Sequence, residues 1–423
     1  MVKEHTYICI DLKSFYASVE CAERGLDAMK TNLIVADPTR TEKTICLAIT
    51  PPMKAMGISS RCRVFEIPKD IEYITAPPRM QLYIDYAAKI YGIYLKYISK
   101  DDIHVYSIDE AFLDVTDYLS LYKMTARELG QTIIGEIYDK LSIRATCGIG
   151  SNLFLTKIAL DICAKHAPDF IGELDEESFK RTLWNHRPLS DFWKIGKRTE
   201  RKLASYGIFT MKDITETDED LLYKLFGVDA ELLIDHAWGR ESVTIKDIKN
   251  YKPRTNSLTS GQVLPRDYSF EEGKLIVKEM MDLLCLDMVS KNVVSKSFTL
   301  HIGYSRYMDE EPAHGTVSLL DETNSDIVLI PKIIELYEEI IDPMMPIRGV
   351  YITANKITED SFRQLSIFDS ENDLEMKEKN RKIQEAVLNI KDRYGKNAVL
   401  KGMNLEDGGT TIERNKQIGG HKA

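Results

Sequence analysis

Residues 104–115, HVYSIDEAFLDV, decide the fold. Most of these residues favour an extended strand, yet Asp109 and Glu110 stand side by side in the middle. Neighbouring side chains in a strand point to opposite faces, so one carboxylate would face a core, where an unpaired charge is unfavourable. A turn at these two acids, between strands at 104–108 and 111–115, removes the conflict. We therefore predict a hairpin.

The elements around this hairpin extend it into a β-α-β-β-α-β order. Apolar residues recur at helical spacing at 82–98 and 125–141, and buried strands are predicted at 5–13 and 144–149. This order is typical of the ferredoxin-like split βαβ fold, an α+β class, in which the first strand is central. Because Asp11 lies near the end of that strand, we expect it to meet both hairpin acids at one edge of the sheet.

The chain changes character after Pro168, where short helices and loops begin. Strand-like pieces later alternate with helices predicted at 271–290 and 331–341, which indicates a second α+β unit. From about residue 358 the chain is polar, and we expect a tethered tail with one amphipathic helix near 373–394.

Composition is ordinary for a globular protein, with 43% hydrophobic and 29% charged residues in a chain of 423. That length predicts about three domains. We find no run of about 18 apolar residues, and because a strand is predicted to include Tyr7, we expect neither a membrane span nor a cleavable signal. The seven cysteines form no Cys-x-x-Cys pair, which favours reduced thiols in the cytoplasm.

The net charge of −10 argues against a uniformly basic nucleic-acid binder. Basic residues nevertheless cluster locally: six bases and two acids in 187–203, three bases and no acid in 252–266, and eleven bases and seven acids in 374–423. These clusters suit a DNA-binding track on one face of the protein, and solvated helix faces explain them equally well.

Three carboxylates at one sheet edge would raise one another's pKa values unless a cation compensates. Magnesium prefers such oxygen ligands, and two ions about 3.5–4 Å apart stabilise both the attacking and the leaving oxygen in phosphoryl transfer. The alternative is structural: an Asp-Glu pair in a turn can simply be solvated, and Asp11 can cap the helix that follows it.

Three segments resemble the signature motifs of Y-family translesion DNA polymerases, in the same order along the chain. They are DLKSFYASVE at 11–20, SIDEAFLD at 107–114 and CGIGSNLFLTKIA at 147–159. The resemblance spans roughly residues 1–370 and is strongest to the polymerase V catalytic subunits and to the UV-damage repair polymerases of Gram-positive bacteria, their phages and plasmids. It implies a right-hand polymerase with a ferredoxin-like palm, small fingers, a helical thumb and an α+β little finger.

The resemblance assigns roles to individual residues. Asp11, Asp109 and Glu110 match the acids that bind two Mg²⁺ ions, with the Leu12 carbonyl as a further ligand and Glu110 as a candidate base toward the primer 3′-hydroxyl. The nucleotide-binding positions would be Ser14, Phe15, Tyr16, Lys54 and Lys157. Among them Tyr16 matches the steric gate that excludes a ribose 2′-hydroxyl, and Lys157 matches a triphosphate lysine. Without the resemblance, Tyr16 would be a core tyrosine and Lys157 a surface lysine with a buried stem.

One segment departs from the pattern of the family. Many members carry Tyr-x-x-Arg before a glycine, whereas PPMKAMG stands at residues 51–57 here. Lys54 supplies a positive charge without the bidentate arginine fork. We interpret this as a subgroup trait, and the contact made by the usual tyrosine stays open.

The segment LSDFWKIGKRTERKLASYG at 189–207 resembles a helix-hairpin-helix, which contacts DNA phosphates through backbone N–H groups. Lys194 replaces the usual first glycine of the hairpin. The predicted DNA contacts, here and at the start of the little finger, are Lys194, Ile195, Gly196, Lys197, Arg198, Lys252, Arg254 and Arg266.

A short peptide beyond the little finger resembles the motif that binds the bacterial sliding clamp. It comprises Gln364, Leu365, Ser366, Ile367 and Phe368. A polar anchor with three apolar side chains on a polar segment suits an apolar groove. The alternative is a strand that caps the little finger.

Together these features predict a Y-family DNA polymerase that adds dNTPs to a primer 3′-hydroxyl on a DNA template, in translesion synthesis, damage repair and an SOS-type response. Its expected partners are primer-template DNA, dNTPs and the sliding clamp, with a recombinase or accessory subunit as further candidates. A nucleotidyl cyclase and an inactive DNA-binding partner of the clamp are the competing interpretations. The predicted domains are the palm at 1–13 and 79–168, fingers at 14–78, thumb at 169–240, linker at 241–253, little finger at 254–358 and tail at 359–423.

Overall fold

The computed structural model describes residues 5–253, 256–308, 310–360 and 371–422. These residues form two compact units, and the chain passes from one to the other between Tyr251 and Lys252. None of the described helices is long and apolar enough to cross a membrane.

The first unit contains eight strands and twelve α-helices among its described residues. The strands are β1 (Tyr7–Leu12), β2 (Leu33–Val35), β3 (Ala48–Ile49), β4 (Ile74–Ala76), β5 (Ile103–Val105), β6 (Glu110–Asp114), β7 (Ala145–Gly150) and β8 (Ile171–Leu174). The helices are α1 (Phe15–Ala22), α2 (Pro51–Ala55), α3 (Met80–Tyr97), α4 (Thr116–Tyr122), α5 (Ala126–Leu141), α6 (Leu153–Ile158), α7 (Glu176–Leu183), α8 (Lys197–Ala204), α9 (Met211–Glu216), α10 (Glu219–Phe226), α11 (Asp229–Ala237) and α12 (Ile245–Asn250).

The main sheet of this unit has the order β5-β6-β1-β7-β8. The predicted hairpin is confirmed, because β5 and β6 pair antiparallel with Val105 opposite Ala111. β1 lies in the centre between β6 and β7, antiparallel to both. With α3 and α5 as its crossovers, the sheet has the ferredoxin-like arrangement that the order of elements predicted, and β8 adds a fifth strand.

Glycines on one face of the sheet allow α6 to approach it closely. A Cβ atom added at Gly148 would overlap the Thr156 carbonyl oxygen, and one at Gly150 would overlap the Thr156 backbone nitrogen. Gly172, the partner of Gly148 on β8, faces the continuation of the same helix, and a Cβ atom added there would overlap the Ala159 carbonyl oxygen. This continuation is a single π-helical turn, Ala159–Cys163. Backbone therefore packs on backbone here, and the side chains of α6 are carried close to the strands.

Two smaller groups of elements complete the first unit. The segment after β1 folds into the three-stranded sheet β3-β2-β4, whose small core includes Ile34, Ile49 and Met53. The helices from α7 to α11 bury an apolar core that includes Phe179 and Leu203. The helix α12 lies within the polar stretch that was expected to be a linker, and its Ile245 is buried against the main-sheet core.

The second unit is a five-stranded antiparallel sheet with two long helices and a C-terminal segment. Its elements are β9 (Leu258–Tyr268), α13 (Phe270–Ser290), β10 (Val293–Tyr304), β11 (Ala313–Thr323), α14 (Asp326–Ile340), β12 (Ile347–Asn355), β13 (Thr358–Glu359), α15 (Glu371–Tyr394), α16 (Thr411–Asn415), β14 (Gln417–Ile418) and β15 (His421–Lys422). The sheet order is β11-β10-β12-β9, and β13 pairs with β10. α13 and α14 pack on the sheet through an extensive apolar core.

The C-terminal segment, which sequence analysis assigned to a tail, packs on α13 through buried polar groups. Glu279 accepts hydrogen bonds from the Asn404 side chain at 2.9 Å and from the Thr410 backbone N–H at 2.8 Å. Lys401 bridges two further acids, Asp282 and Asp326. Three acids on α13 and α14 (Glu279, Asp282 and Asp326) therefore bind residues of the C-terminal segment, which its polar composition suggested was a tethered tail.

The start of α14 was predicted wrongly. The helix begins at Asp326, whereas the prediction placed its start at Pro331. Leu329 and Ile333 on either side of the proline are buried in the core. Their burial outweighs the single backbone hydrogen bond that the proline removes.

We predict that Gly148→Ala destabilises the first unit by about 2–3 kcal/mol, because the added methyl group would overlap the backbone of α6 and force it from the sheet. Gly135→Ala, in the interior of α5 with open space around the added Cβ, is the matched control and should stabilise by about 0.5–1 kcal/mol. Thermal and chemical unfolding of the purified variants would measure both. Equal stability of the two variants would contradict the close approach of α6.

Candidate active site

The pairing of β1 with β6 brings the predicted acids to one edge of the sheet. Asp11 stands opposite Glu110 in the antiparallel register, so both side chains project from the same face. Asp109 precedes β6 in the hairpin turn, and its carbonyl oxygen accepts a hydrogen bond from the Leu12 N–H at 2.9 Å. The prediction placed both acids in the turn, but Glu110 pairs opposite Asp11 as the first residue of β6, so only Asp109 lies in the turn.

The carboxylate of Glu110 is held by two neighbours. Lys157, which the close approach of α6 carries to this face, lies 2.7 Å from Oε2, and both side chains are only 9% exposed. The Cys9 thiol donates to Oε1 at 3.2 Å. Burial works against the charged form of Lys157, but Glu110 and Asp161 outweigh it and hold the pKa of Lys157 above its usual range. The lysine is thus a fixed positive charge beside the acids.

Asp11 is the acid whose protonation is most perturbed. Burial raises the pKa of Asp11 to about 7; Asp109 and Glu110 add to the rise, while Lys165 and Lys157 oppose it. A buried carboxyl next to two other carboxylates is destabilised in its charged form, and a divalent cation bound nearby would relieve this.

The local donors suit such a cation, although they do not enclose one. In the described residues, no group of three or more His, Cys, Asp or Glu side chains converges as a metal site. Glu110 is turned toward Lys157 and Cys9 instead. Ser14, at a left-handed φ of 49°, has a buried hydroxyl oxygen without a hydrogen-bond partner. Carboxylates and a hydroxyl are oxygen ligands that suit a divalent cation, and the lysine beside them suits a phosphate.

The remaining predicted nucleotide-binding residues lie around the acids. Phe15 is buried, whereas Tyr16 is half-buried and stacks on Tyr83. Burial raises the pKa of Tyr16, and the charge of Asp109 contributes, so this ring is within electrostatic reach of the site. Partial burial likewise lowers the pKa of Lys54, against the opposing influence of Asp11 and Asp109.

Sequence reasoning missed two charged residues of this site. Asp161 lies 3.1 Å from the Lys157 ammonium and 2.8 Å from that of Lys165. After burial, Lys165 has the largest influence on the pKa of Asp11. The signal was the four-residue spacing of these three charges, which places them along one side of the helix.

The predicted DNA-binding hairpin has a strained turn. Lys194 adopts a left-handed φ of 71°, the conformation for which glycine is the usual residue. Ile195 is buried in the helical core, and Gly196 precedes the first turn of α8, where Lys197 and Arg198 begin the helix. The backbone therefore turns as a hairpin requires, even though the glycine is absent.

The other predicted DNA contacts belong to the second unit. Lys252 is exposed, whereas Arg266 pairs with Glu272 at 2.5 Å and packs over the ring of Tyr268. Arg254 and the clamp-like peptide at 364–368 lie outside the described residues.

Comparison with known proteins connects this geometry to one family. The model of the impB/mucB/samB family matches residues 10–161, and the model of that family's C-terminal domain matches residues 255–367. The chain is 30% identical over 419 residues to the putative UV-damage repair protein UvrX of Bacillus subtilis (strain 168), covering 98% of this chain and 97% of that protein. It is 28% identical over 431 residues to DNA polymerase IV 2 of the same organism, covering 100% of both chains.

Solved structures share the fold. The Y-family DNA polymerase chimera Dbh-Dpo4(243-245)-Dbh superimposes with a TM-score of 0.64 at 20% identity, covering 84% of this chain and 99% of that one. An insertion ternary complex of Dbh DNA polymerase gives a TM-score of 0.52, also at 20% identity.

We predict a pH-dependent stability that arises from Asp11. Its pKa rises from an ordinary 3.8 to about 7 on folding, so its contribution to stability is full below pH 3.8 and is lost as the pH rises to about 7. Asp11→Asn removes the titrating group. In EDTA, the melting temperature of this variant relative to wild type should therefore increase between pH 4 and pH 8. A difference that does not change with pH would contradict the assigned environment of Asp11.

Proposed function

This chain belongs to the impB/mucB/samB family and is a Y-family DNA-directed DNA polymerase of translesion synthesis and repair, and from this we propose which of its residues carry out the reaction. The observation that carries the proposal is the cross-strand pairing of Asp11 with Glu110, with Asp109 in the adjoining turn. Lys157 lies on the same face of the sheet. The acids would bind metal, and the lysine would bind the triphosphate.

The family depends on divalent metal ions, and the proposal here is two Mg²⁺ ions. Asp11, Asp109 and Glu110 would hold them, with the Leu12 carbonyl as a further ligand. When bound, such ions neutralise the triphosphate and stabilise the attacking and leaving oxygens of phosphoryl transfer.

The cations of the chain would complete the triphosphate site. Lys157 needs only to change partner, from the Glu110 carboxylate to a phosphate oxygen, in order to act there. Lys54 and Lys165 would add positive charge, since Lys165 lowers the pKa of Asp11 and the charge of Asp11 acts on the pKa of Lys54. We infer that the unsatisfied hydroxyl of Ser14 belongs to the same nucleotide-binding surface, and that Phe15 would contribute its backbone, because its ring is buried.

Tyr16 is proposed as the steric gate for the sugar. It follows the metal-binding strand directly, on the first turn of α1, and Asp109 influences its pKa. A ring in this place would collide with a ribose 2′-hydroxyl and tolerate a deoxyribose.

The DNA is proposed to run over the regions assigned as palm (1–13 and 79–168), fingers (14–78), thumb (169–240) and little finger (254–358). Backbone N–H groups at Ile195, Gly196 and Lys197 would contact a phosphate, supported by Lys194 and Arg198. Lys252, Arg254 and Arg266 would add phosphate contacts. All of these contacts are independent of base sequence.

Changing both hairpin acids to alanine (Asp109→Ala with Glu110→Ala) should abolish primer extension with Mg²⁺, a loss we expect to exceed about a hundredfold because charge stabilisation in the transition state disappears. The measurement is single-nucleotide extension on undamaged and lesion-bearing templates.

The matched control is another adjacent pair of acids, Asp101 and Asp102, at the opposite end of β5. Replacing both with alanine removes the same charge from the turn that leads into β5 and should leave extension within about threefold of wild type. Undiminished extension by the Asp109/Glu110 variant would refute the catalytic assignment.

We propose the bacterial sliding clamp as a protein partner through residues 364–368. Leu365→Ala with Phe368→Ala should abolish capture by the immobilised purified clamp, because the apolar groups that fill its groove are gone. Asp369→Ala, just beyond the peptide, is the control and should retain capture. Equal capture of the two variants would exclude the peptide, and capture of neither variant nor wild type would exclude the partner.

A further inference from the structure

The ring proposed as the steric gate rests on a second tyrosine. Tyr16 on α1 and Tyr83 on α3 stack nearly parallel, with their centroids 4.4 Å apart and an interplanar angle of 15°. Tyr83 is completely buried, so one face of the half-buried Tyr16 ring has a fixed support. A stacked pair of this geometry is attractive beyond the area it buries.

The second tyrosine is in turn anchored to the helix that carries the gate. Its hydroxyl donates to Glu20 at 2.7 Å, and Glu20 lies one helical turn after Tyr16 on α1. These contacts form a closed loop. The ring of Tyr16 stacks on the ring of Tyr83, the Tyr83 hydroxyl donates to Glu20, and one turn of α1 connects Glu20 to Tyr16. Neither ring can rotate without breaking a contact in this loop.

Glu20 is a firm anchor because its buried charge is fully paired. Arg79 donates to both carboxylate oxygens, at 2.9 and 2.7 Å, and Arg24 pairs with one of them. Burial alone would raise the pKa of Glu20, but the hydrogen bonds from Arg79, Tyr83 and Arg24 outweigh it and lower that pKa. Moving Arg79, Arg24 or Tyr83 away would leave the buried charge of Glu20 without compensation, which is unfavourable. Glu20 therefore keeps these partners in place.

A gate that works by collision is only as selective as its ring is immobile. If Tyr16 can swing aside at small energetic expense, a ribonucleotide enters by displacing it. The support beneath the ring therefore sets the free energy of that displacement. We propose that Tyr83, held by Glu20, is a positioning residue that determines how strongly the polymerase discriminates against ribonucleotides, an inference that rests on the role of Tyr16 proposed above.

The test is a set of single-nucleotide incorporation assays with the full chain, comparing kcat/KM for a dNTP with kcat/KM for the matching rNTP. Tyr83→Leu removes the flat support and should reduce the dNTP preference by about three- to tenfold, the effect expected for loss of an aromatic pair. Tyr83→Phe keeps the ring and should retain more of the preference than Tyr83→Leu does. If Tyr83→Leu does not fold, Tyr83→Met fills the same space with a flexible chain and makes the same test.

Tyr86 supplies the matched control. It lies one turn further along α3 and is also buried. Its hydroxyl donates at 2.6 Å to Glu23, the residue that follows α1, but its ring does not take part in the stack with Tyr16. Tyr86→Leu should lower the melting temperature as Tyr83→Leu does and leave the sugar preference unchanged. Equal loss of preference in both variants would show a general packing effect and overturn the proposal.

Tyr16→Ala separates this inference from the gate itself. The variant should admit ribonucleotides, and adding Tyr83→Leu to it should change the preference no further, since the supported ring is already gone. A preference that is unchanged by Tyr16→Ala would refute the gate. A preference that falls in Tyr16→Ala but is unchanged in a folded Tyr83→Leu or Tyr83→Met variant would leave the gate in place and refute the support.

Discussion

The antiparallel pairing of β1 with β6 and β7 is the constraint on which the site depends. It fixes Asp11 opposite Glu110 on one side and opposite Thr146 on the other, so the acids cannot move independently of the sheet. The same pairing places Gly148 and Gly150 on the face that carries Cys9 and Asp11. Because those positions lack side chains, α6 packs directly on the strands, and Lys157 is brought to hydrogen-bonding distance of Glu110. Gly148 and Gly150 thus determine the position of the Lys157 ammonium group.

The ion pair between Lys157 and Glu110 is poorly explained by stability alone. Two charged groups that are each 9% exposed lose much of their hydration, and buried pairs of this kind are often no more stabilising than apolar residues of the same volume. The proposed exchange of Lys157 from Glu110 to a phosphate oxygen would account for both its burial and its position. The same argument applies to Asp161, which forms ion pairs with both Lys157 and Lys165.

The sequence predicted those parts of the fold that depend on local patterns. The side-by-side acids in the 104–115 segment required a turn, and the order of periodic segments then specified the ferredoxin-like sheet and the central position of β1. Contacts between distant segments were beyond such reasoning. Nothing local in Tyr83 indicates that its ring supports Tyr16, and the polar residues after 370 gave no sign that Glu279 and Asp282 would bind them. The start of α14 was predicted five residues too late, because the burial of Leu329 and Ile333 on either side of Pro331 depends on the rest of the unit.

The short helix α1 shows why chemistry and architecture cannot be separated in this protein. Tyr16 stacks on Tyr83 of α3, and one turn later Glu20 is buried against the same helix, where Arg79 donates to both of its carboxylate oxygens. A helix of eight residues has little stability of its own, so its orientation must come from such tertiary contacts. In the proposal made here, the ion pair between Glu20 and Arg79 would therefore also set the angle at which the Tyr16 ring meets an incoming sugar. In this proposal, the selectivity for deoxyribose over ribose depends on the carboxylate of Glu20, which is buried and contacts no substrate.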